Sequence, residues 1–334
     1  MKTKVSIIVT CFTIKRLKDV MDLLDSIAVQ TYSDIEIIFI IENSKELYKA
    51  LEERISKDKQ KNLKLFFNDS EFGLSANRNI GIQKASGDII AFVDDDAVLF
   101  PRWTEAMVKA YDADASIIGV TGPILPLWES PSMNWFPKEL YWMFACTYYD
   151  TNKPMEVRNG YGTNISFRKE AFEICGLFRT ELGAKGGGGA LGKQKLTSEE
   201  AEFSIRVTRK TGKHIIFHPD VSVYHKVYQY RMKTSALAWR GFELGYTKAV
   251  FKRNFSGNRN QEKVLDTEYT LLKRVFFNLV PGIFKDIFRH PVIAGRKSFV
   301  TALTLASVAT GYVYYFIDDP FNKKRILKDN NTIH

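Results

Sequence analysis

Three adjacent carboxylates, Asp94-Asp95-Asp96, follow the apolar run at 89–93. Side-by-side negative charges repel, so stability alone does not favour them. A hard divalent cation relieves the repulsion, and Mn2+ or Mg2+ commonly bridges one or two carboxylates to a substrate's phosphates. In a turn at a strand end, Asp94 and Asp96 can project toward one ligand, although a solvated acidic turn would use the same residues. A second cluster, Glu199, Glu200 and Glu202, opens a helical pattern after Ser198. The helix dipole favours anions there, so a capped first turn accounts for it; so does a carboxylate general base. In Asn77-Arg78-Asn79, Arg78 matches phosphate oxygens bidentately. His225 offers a nitrogen either to the same cation or to the core.

These residues need elements to hold them. Residues 5–9, 36–41, 63–67 and 89–93 are short apolar, β-branched runs typical of buried strands. Helical spacing separates them at 16–30, 46–60 and 76–85. The alternation predicts a doubly wound, Rossmann-like, mostly parallel sheet flanked by helices. Sites in such sheets gather at the carboxyl ends of strands, where Thr10, Glu42 and Asp94–Asp96 fall. Further on, a helix is expected at 102–115 and a strand at 116–120. Long aromatic loops are expected over 121–160, an edge strand at 164–167 and helices at 169–175 and 198–211. A strand should follow at 214–217 and a basic helix at 232–252. The stretch 183–192, with four consecutive glycines, suggests a mobile loop.

The charge is unevenly placed. The 334 residues carry a net charge of +10, yet 1–230 hold 30 basic and 30 acidic residues. The remaining 104 hold 18 basic and 8 acidic residues, which is the whole excess. That argues against nucleic acid as the partner and for a basic tail meeting an anionic surface. Residues 271–289 place Leu272, Phe276, Leu279, Ile283 and Ile287 on one helical face, with a possible break at Pro281-Gly282. Residues 298–317 have no charge over twenty positions, so they suit a membrane-spanning, in-plane or buried helix. The expected division is a catalytic domain at 1–255 and a membrane-associating helical region at 256–334. The three cysteines lack metal-type spacing, and no signal peptide is read at the N-terminus. The expected location is the cytoplasmic face of the cell membrane.

Taken together and in this order, the segments VSIIVTCFT (5–13), SIAVQTYSDIEIIFIIENS (26–44), GLSANRNIGIQKASGDIIAFVDDD (73–96), GTNISFRKEAF (162–172) and SEEAEF (198–203) resemble the family 2 inverting glycosyltransferases of the GT-A fold. The resemblance implies that Asp94 and Asp96 hold a nucleotide-sugar diphosphate through a divalent metal, to which His225 is a candidate further ligand by its residue type. It implies that Glu42 reads the uracil and that Glu200 is the base. Thr10, Arg78 and Asp95 join the nucleotide-sugar site, while Asn164, Arg168 and Glu199 fall on the acceptor or sugar side. Segments 139–149, 157–172, 218–231 and 242–249 look like archaeal glucuronosyltransferases, which extend a glycan on dolichyl phosphate for N-glycosylation. The sequence departs from the family pattern at Glu42 and Glu200, where Asp is usual, at Gly176-Leu177-Phe178-Arg179, and in a longer 183–197 loop.

The implied reaction is a single displacement at the anomeric carbon, with UDP leaving opposite an acceptor hydroxyl that Glu200 deprotonates. A glucuronate donor would want a cation for its carboxylate, with Arg168 or Arg158 as candidates. A UDP-hexose or UDP-N-acetylhexosamine donor, a polyprenyl-phosphate sugar synthase and a non-catalytic membrane scaffold are the competing expectations. A nucleotidylyltransferase would want a glycine-rich phosphate loop after the first strand, which Thr10-Cys11-Phe12-Thr13 is not.

Overall fold

The protein is described here from a computed structural model, covering residues 2–58, 62–148, 151–183, 198–255, 270 and 272–318. The chain forms two compact units. The first comprises Met1–Leu127, Ala145–Gln194 and Ser198–Lys226; the second comprises Trp128–Phe144, Lys195–Thr197 and Val227–His334.

In the first unit the opening half alternates as expected: β1 (Val5–Cys11), α1 (Leu17–Ala28), β2 (Ile35–Glu42), α2 (Lys45–Asp58), β3 (Leu63–Asn68), α3 (Leu74–Lys84) and β4 (Ile89–Asp94). β5 (Ala97–Leu99), α4 (Trp103–Ala113) and β6 (Ile117–Thr121) follow. Residues 121–160 are more structured than their Pro and aromatic content suggests. They contain β7 (Ile124–Trp128), β8 (Met155–Val157) and short 3-10 turns at Pro131–Met133 and Lys138–Phe144. β9 (Ile165–Arg168), α5 (Lys169–Cys175), α6 (Glu199–Thr211), β10 (His214–Phe217) and β11 (Val223–Val227) complete the set.

The main sheet has the order β3-β2-β1-β4-β9-β6-β10-β8. β3, β2, β1 and β4 are mutually parallel, while β9 runs antiparallel between β4 and β6. The expected edge strand at 164–167 is therefore an interior one. Its short, mixed composition resembles an edge, yet Ile165, Ser166 and Phe167 are all fully buried because helices cover both faces. Phe92, Phe167, Phe172, Phe178 and Phe203 pack α5 and α6 onto the sheet, with Phe172 and Phe203 stacked at 4.6 Å. Both ends of β2 carry buried glutamates. Glu36 accepts from Ser6 Oγ (2.6 Å), the Ser86 N–H (2.7 Å) and Lys64 Nζ (2.8 Å), so its burial leaves no unmet charge.

The second unit contains α7 (Thr234–Phe255), α8 (Val280–Arg289) and α9 (Pro291–Asp318). Sequence order assigns α7 to a domain ending at residue 255, but α7 packs along α9 and belongs to the second unit. The packing is close because small residues line it. A Cβ on Gly245 would run into the Val308 backbone, one on Gly241 would meet the Ser307 side chain, and one on Gly311 would strike the Phe242 carbonyl. At 275–279 the helix takes a wider π turn, and Pro281 sits in the first turn of α8, where its missing N–H costs little. Burial follows the anticipated stripe only in part. Val275, Leu279 and Ile283 are buried, while Leu272, Phe276 and Ile287 of the anticipated stripe are exposed, with Phe277, Phe284 and Phe288. The uncharged run 298–317 is the body of α9; Pro291–Ile317 is long and apolar enough to cross a membrane by length and composition. Of the glycine-rich stretch 183–192 only Gly183 lies within the described residues, as do 270 and 272–318 of the tail.

Candidate active site

Parallel pairing brings the carboxyl ends of β1, β2 and β4 side by side, with Thr10 opposite Asp94 in the register. Asp94 is the last residue of β4, and Asp96 turns back into β5. β11 pairs antiparallel with β5, setting His225 opposite Ala97, and the Lys226 N–H donates to the Asp96 carbonyl at 3.0 Å. This pairing carries His225 across more than a hundred residues to the acidic turn. Ligand atoms of Asp94, Asp96 and His225 lie within 4.8 Å of one another. Two carboxylate oxygens and an imidazole nitrogen suit Mn2+ or Mg2+ in kind and in number, with room left for water and phosphate oxygens.

Each member is held from behind. Asp96, fully buried, accepts from Arg16 Nη1 at 2.7 Å and faces His225 Nε2 at 3.2 Å. His225 Nδ1 lies 3.8 Å from Cys146 Sγ. Asp94 accepts from Thr163 Oγ1 at 2.5 Å and from Arg78 Nη2 at 3.1 Å. Arg78 is only 3% exposed and donates in three directions: to Asp94, to the Gly162 carbonyl at 3.1 Å and to Glu199 Oε1 at 2.6 Å. One guanidinium thus links β4 to the first turn of α6. Beside it, Glu200 is half-buried and forms no ion pair among the described residues. Burial and the charge on Glu199 push its carboxyl up to about 8, with Asp94 adding to the effect and Arg78 opposing it. Asp95 rises to about 7, by burial first and then by Asp96. For His225, burial opposes the charge, but Asp96 outweighs it and the pKa rises to about 10.

Residues 6–175 match the family described as "Glycosyl transferase family 2". The chain belongs to that family. Over 313 residues, 93% of the chain and 96% of the relative, it is 28% identical to the glucosyl-dolichyl phosphate glucuronosyltransferase of Haloferax volcanii. A GalNAc(5)-diNAcBac-PP-undecaprenol beta-1,3-glucosyltransferase of Campylobacter jejuni is 32% identical over 118 residues, 35% of the chain and 37% of that protein. Among solved structures, a mannosyltransferase of Pyrobaculum calidifontis in complex with GDP-Man and Mn2+ superposes with a TM-score of 0.63. That match has 18% identity and covers 96% of the chain and 88% of the neighbour. The glycosyltransferase has the GT-A fold.

The glycosyltransferase brings together Thr10, Arg78, Asp94, Asp95, Asp96, Glu199, Glu200 and His225 around the strand ends of its first unit. Glu42 stands on the neighbouring strand end. Its Oε2 accepts from the Gly73 N–H at 2.8 Å and from Asn77 Nδ2, while Oε1 has no protein partner among the described residues. The left-handed conformation of Asn43, one that Asn tolerates, turns the chain away just past it.

Two expected site residues are placed elsewhere. Arg168 pairs with Ile89, at the opposite end of β4 from Asp94. Its guanidinium is spent on the Ile117, Tyr111 and Asp114 carbonyls and lies over the Tyr111 ring. The antiparallel run of β9 is the reason: it carries residue 168 away from the end where residue 163 sits. Asn164 is fully buried, accepts from Trp103 Nε1 (2.9 Å) and donates to the Val221 carbonyl (2.7 Å), so it braces the loop and offers no free hydrogen bond of its amide to a sugar. Arg158, the other candidate for a glucuronate carboxylate, donates to Asn159 Oδ1 at 2.8 Å.

Arg16, Thr163, Gly162 and Cys146 support the acidic turn without having been singled out by sequence. Thr163 adjoins Asn164 in the GTN motif, so the motif marked the right place through the wrong residue. Arg16, in the loop after β1, had a topological signal only, since that loop must open beside the end of β4.

Proposed function

We propose that the protein is an inverting transferase that moves a sugar from a UDP-sugar, glucuronic acid from UDP-glucuronate in the first instance, onto a glycan carried on dolichyl or polyprenyl phosphate in protein N-glycosylation. The observation that carries this reading is the convergence of Asp94, Asp96 and His225 on one point, with Glu200 close enough to feel the charge of Asp94. The similarity to a dolichyl-phosphate glucuronosyltransferase along nearly the whole chain supports the acceptor class and the donor.

In this reading Glu42, through its free Oε1, accepts from the base of the nucleotide, and Thr10 and Asp95 line the ribose and diphosphate. Asp94, Asp96 and His225 hold a divalent cation, Mn2+ or Mg2+, which when bound offsets the charge of the diphosphate. Arg78 is a positioning residue: its donors are committed to Glu199, Asp94 and Gly162, so it fixes the spacing between the donor side and the base. Glu200 receives the proton of the acceptor hydroxyl as the oxygen forms its bond to C1. The bond from C1 to the diphosphate oxygen breaks on the opposite face, which inverts the configuration. A carboxyl raised to about 8 is a stronger base than an ordinary carboxylate and takes that proton in its ionised form, which grows as pH rises toward that value. Glu199 cannot share the task while it neutralises Arg78.

The exposed phenylalanines of 276–288, interleaved with Lys273, Lys285 and Arg289, together with α9, suit attachment to an anionic membrane at the cytoplasmic face. The test is a screen of nucleotide sugars against polyprenyl-phosphate-linked acceptors, with Mn2+ or Mg2+ and product mass as readout. A mass gain of one hexuronic acid is expected. Product with a hexose or N-acetylhexosamine would replace the donor assignment; no transfer to any lipid-linked acceptor would remove the function.

A further inference from the structure

The second unit contains a cleft of about 430 Å³ that is lined by none of the residues assigned to the transfer chemistry. Its walls come from residues 134–141 on one side and from α8 and the start of α9 on the other. The volume lies within the ~300–1,000 Å³ usual for ligand clefts. Glu139 lines it and is only 8% exposed, yet its carboxylate forms no hydrogen bond or ion pair among the described residues. The carboxylate oxygens open onto the cleft, where they can accept from a donor that occupies it.

The surroundings narrow what that donor is. Trp135 and Tyr141 supply ring surface to the cleft. Trp135 is held by the Arg296 guanidinium at 5.8 Å and by Phe136, and Tyr141 by Trp128. Asn278 adds an amide that both donates and accepts. The remaining charges cancel: Asp286 takes Lys297 at 2.7 Å, and Lys138 stands against Glu139 in the count. A phosphate would want an excess of cations and would be repelled by the unpaired carboxylate. A polyprenyl chain would leave Glu139 unsatisfied. Among the described residues a metal-type cluster exists only at Asp94, Asp96 and His225, so the cleft is not laid out for a cation. A neutral sugar ring meets every requirement, because its hydroxyls donate to a carboxylate and its C–H face lies on aromatic rings.

We infer that this cleft is a second carbohydrate site, in which Glu139 accepts from the hydroxyls of a neutral sugar ring held against Trp135 and Tyr141. Resting on the proposed function, that ring belongs to the glycan of the lipid-linked acceptor. Exposed Phe284 and Phe288 on α8, the helix that forms one wall, put the cleft on a lipid-seeking surface.

The experiment uses the full chain in lipid nanodiscs and methyl glucoside, inorganic phosphate and sugar-free dolichyl phosphate as separate probes, read by saturation-transfer NMR. Methyl glucoside should bind, and Glu139→Gln and Trp135→Ala should each weaken it by about tenfold. Trp135→Phe, which keeps a ring, should recover most of the loss at an unchanged melting temperature. In turnover with a lipid-linked disaccharide, Glu139→Gln should raise the acceptor KM about tenfold while the donor KM matches wild type. Methyl glucoside that fails to bind, or binds equally to all variants, overturns the site. Binding of phosphate or sugar-free dolichyl phosphate that the same substitutions abolish also overturns it, in favour of a lipid-phosphate site. Methyl glucoside binding that depends on Glu139, with no transfer to any lipid-linked acceptor, upholds the site and removes only the proposed function.

Discussion

Arg78 and Glu199, 121 positions apart in sequence, form a fully buried ion pair at 2.6 Å. The same guanidinium reaches Asp94, so the two acidic motifs are joined through one side chain. Removing one partner of a buried pair leaves an uncompensated charge, which costs about 3–5 kcal/mol. Arg78→Ala should therefore lower unfolding free energy by about that amount in urea titrations. The Arg78→Ala/Glu199→Ala double variant should lose clearly less than the two single losses added together. Simple additivity would mean that the pair does not couple the motifs. Gly162→Ala should act in the same direction, since a Cβ there would collide with the Arg78 guanidinium.

In the proposed reaction Glu200 is the base, so its ionisation sets the low-pH limb of the rate. Its carboxyl lies at about 8, so the fraction able to accept a proton grows as pH rises toward that value. The kcat/KM of transfer should climb with pH and level off above about 8. Glu200→Gln should reduce kcat by about 10²–10⁴-fold with donor affinity unchanged. A variant that keeps most of its turnover, with the same pH profile, would place the base elsewhere.

Divalent-cation binding should be pH-linked. His225 is pushed up to about 10 by Asp96, so it must give up a proton before its nitrogen can bind a metal. Mn2+ affinity, followed by calorimetry or electron paramagnetic resonance, should rise by up to about tenfold per pH unit between pH 6 and 9. Asp96→Ala should abolish the site, and His225→Ala should flatten the pH dependence. Transfer that persists after chelation and in Asp96→Ala would refute the cation site.

Glu36 governs acid stability. Burial raises its pKa, but Lys64, Ser6 and Ser86 together hold it well below the usual carboxylate range. A depressed pKa contributes stability above the unfolded value of about 4.5, and this is lost as pH falls toward the folded value. Glu36→Gln should cost about 1–3 kcal/mol at neutral pH and show a shallower loss below pH 4.5, in denaturant titrations at several pH values.

The α7–α9 contact depends on absent side chains. Gly245→Leu has no room against the Val308 backbone and should separate the helices. A lower melting temperature and faster hydrogen exchange over 234–253 are expected, with nucleotide-sugar binding by the first unit retained. Unchanged exchange would show that the two helices tolerate a wider spacing.

The sequence by itself determined the alternation of β1 through β4, because each buried strand is a short β-branched run and each helix a 3.6-residue pattern. It also located Asp94–Asp96 and Glu199-Glu200, because adjacent carboxylates at element ends are expensive without a charge to meet. Tertiary structure decided where those residues lie and what they meet. Only β11, pairing with β5, delivers His225 to Asp96, and only the direction of β9 separates Thr163 at the site from Arg168 at the far end. Side-chain partnership divided Glu199 from Glu200: one is spent on Arg78, while the other forms no ion pair among the described residues. Such pairings join residues 69 to 129 positions apart, and local propensity carries no record of them. The tail makes the same point on a smaller scale, since packing buried Leu279 and Ile283 of the expected stripe and left Leu272, Phe276 and Ile287 exposed.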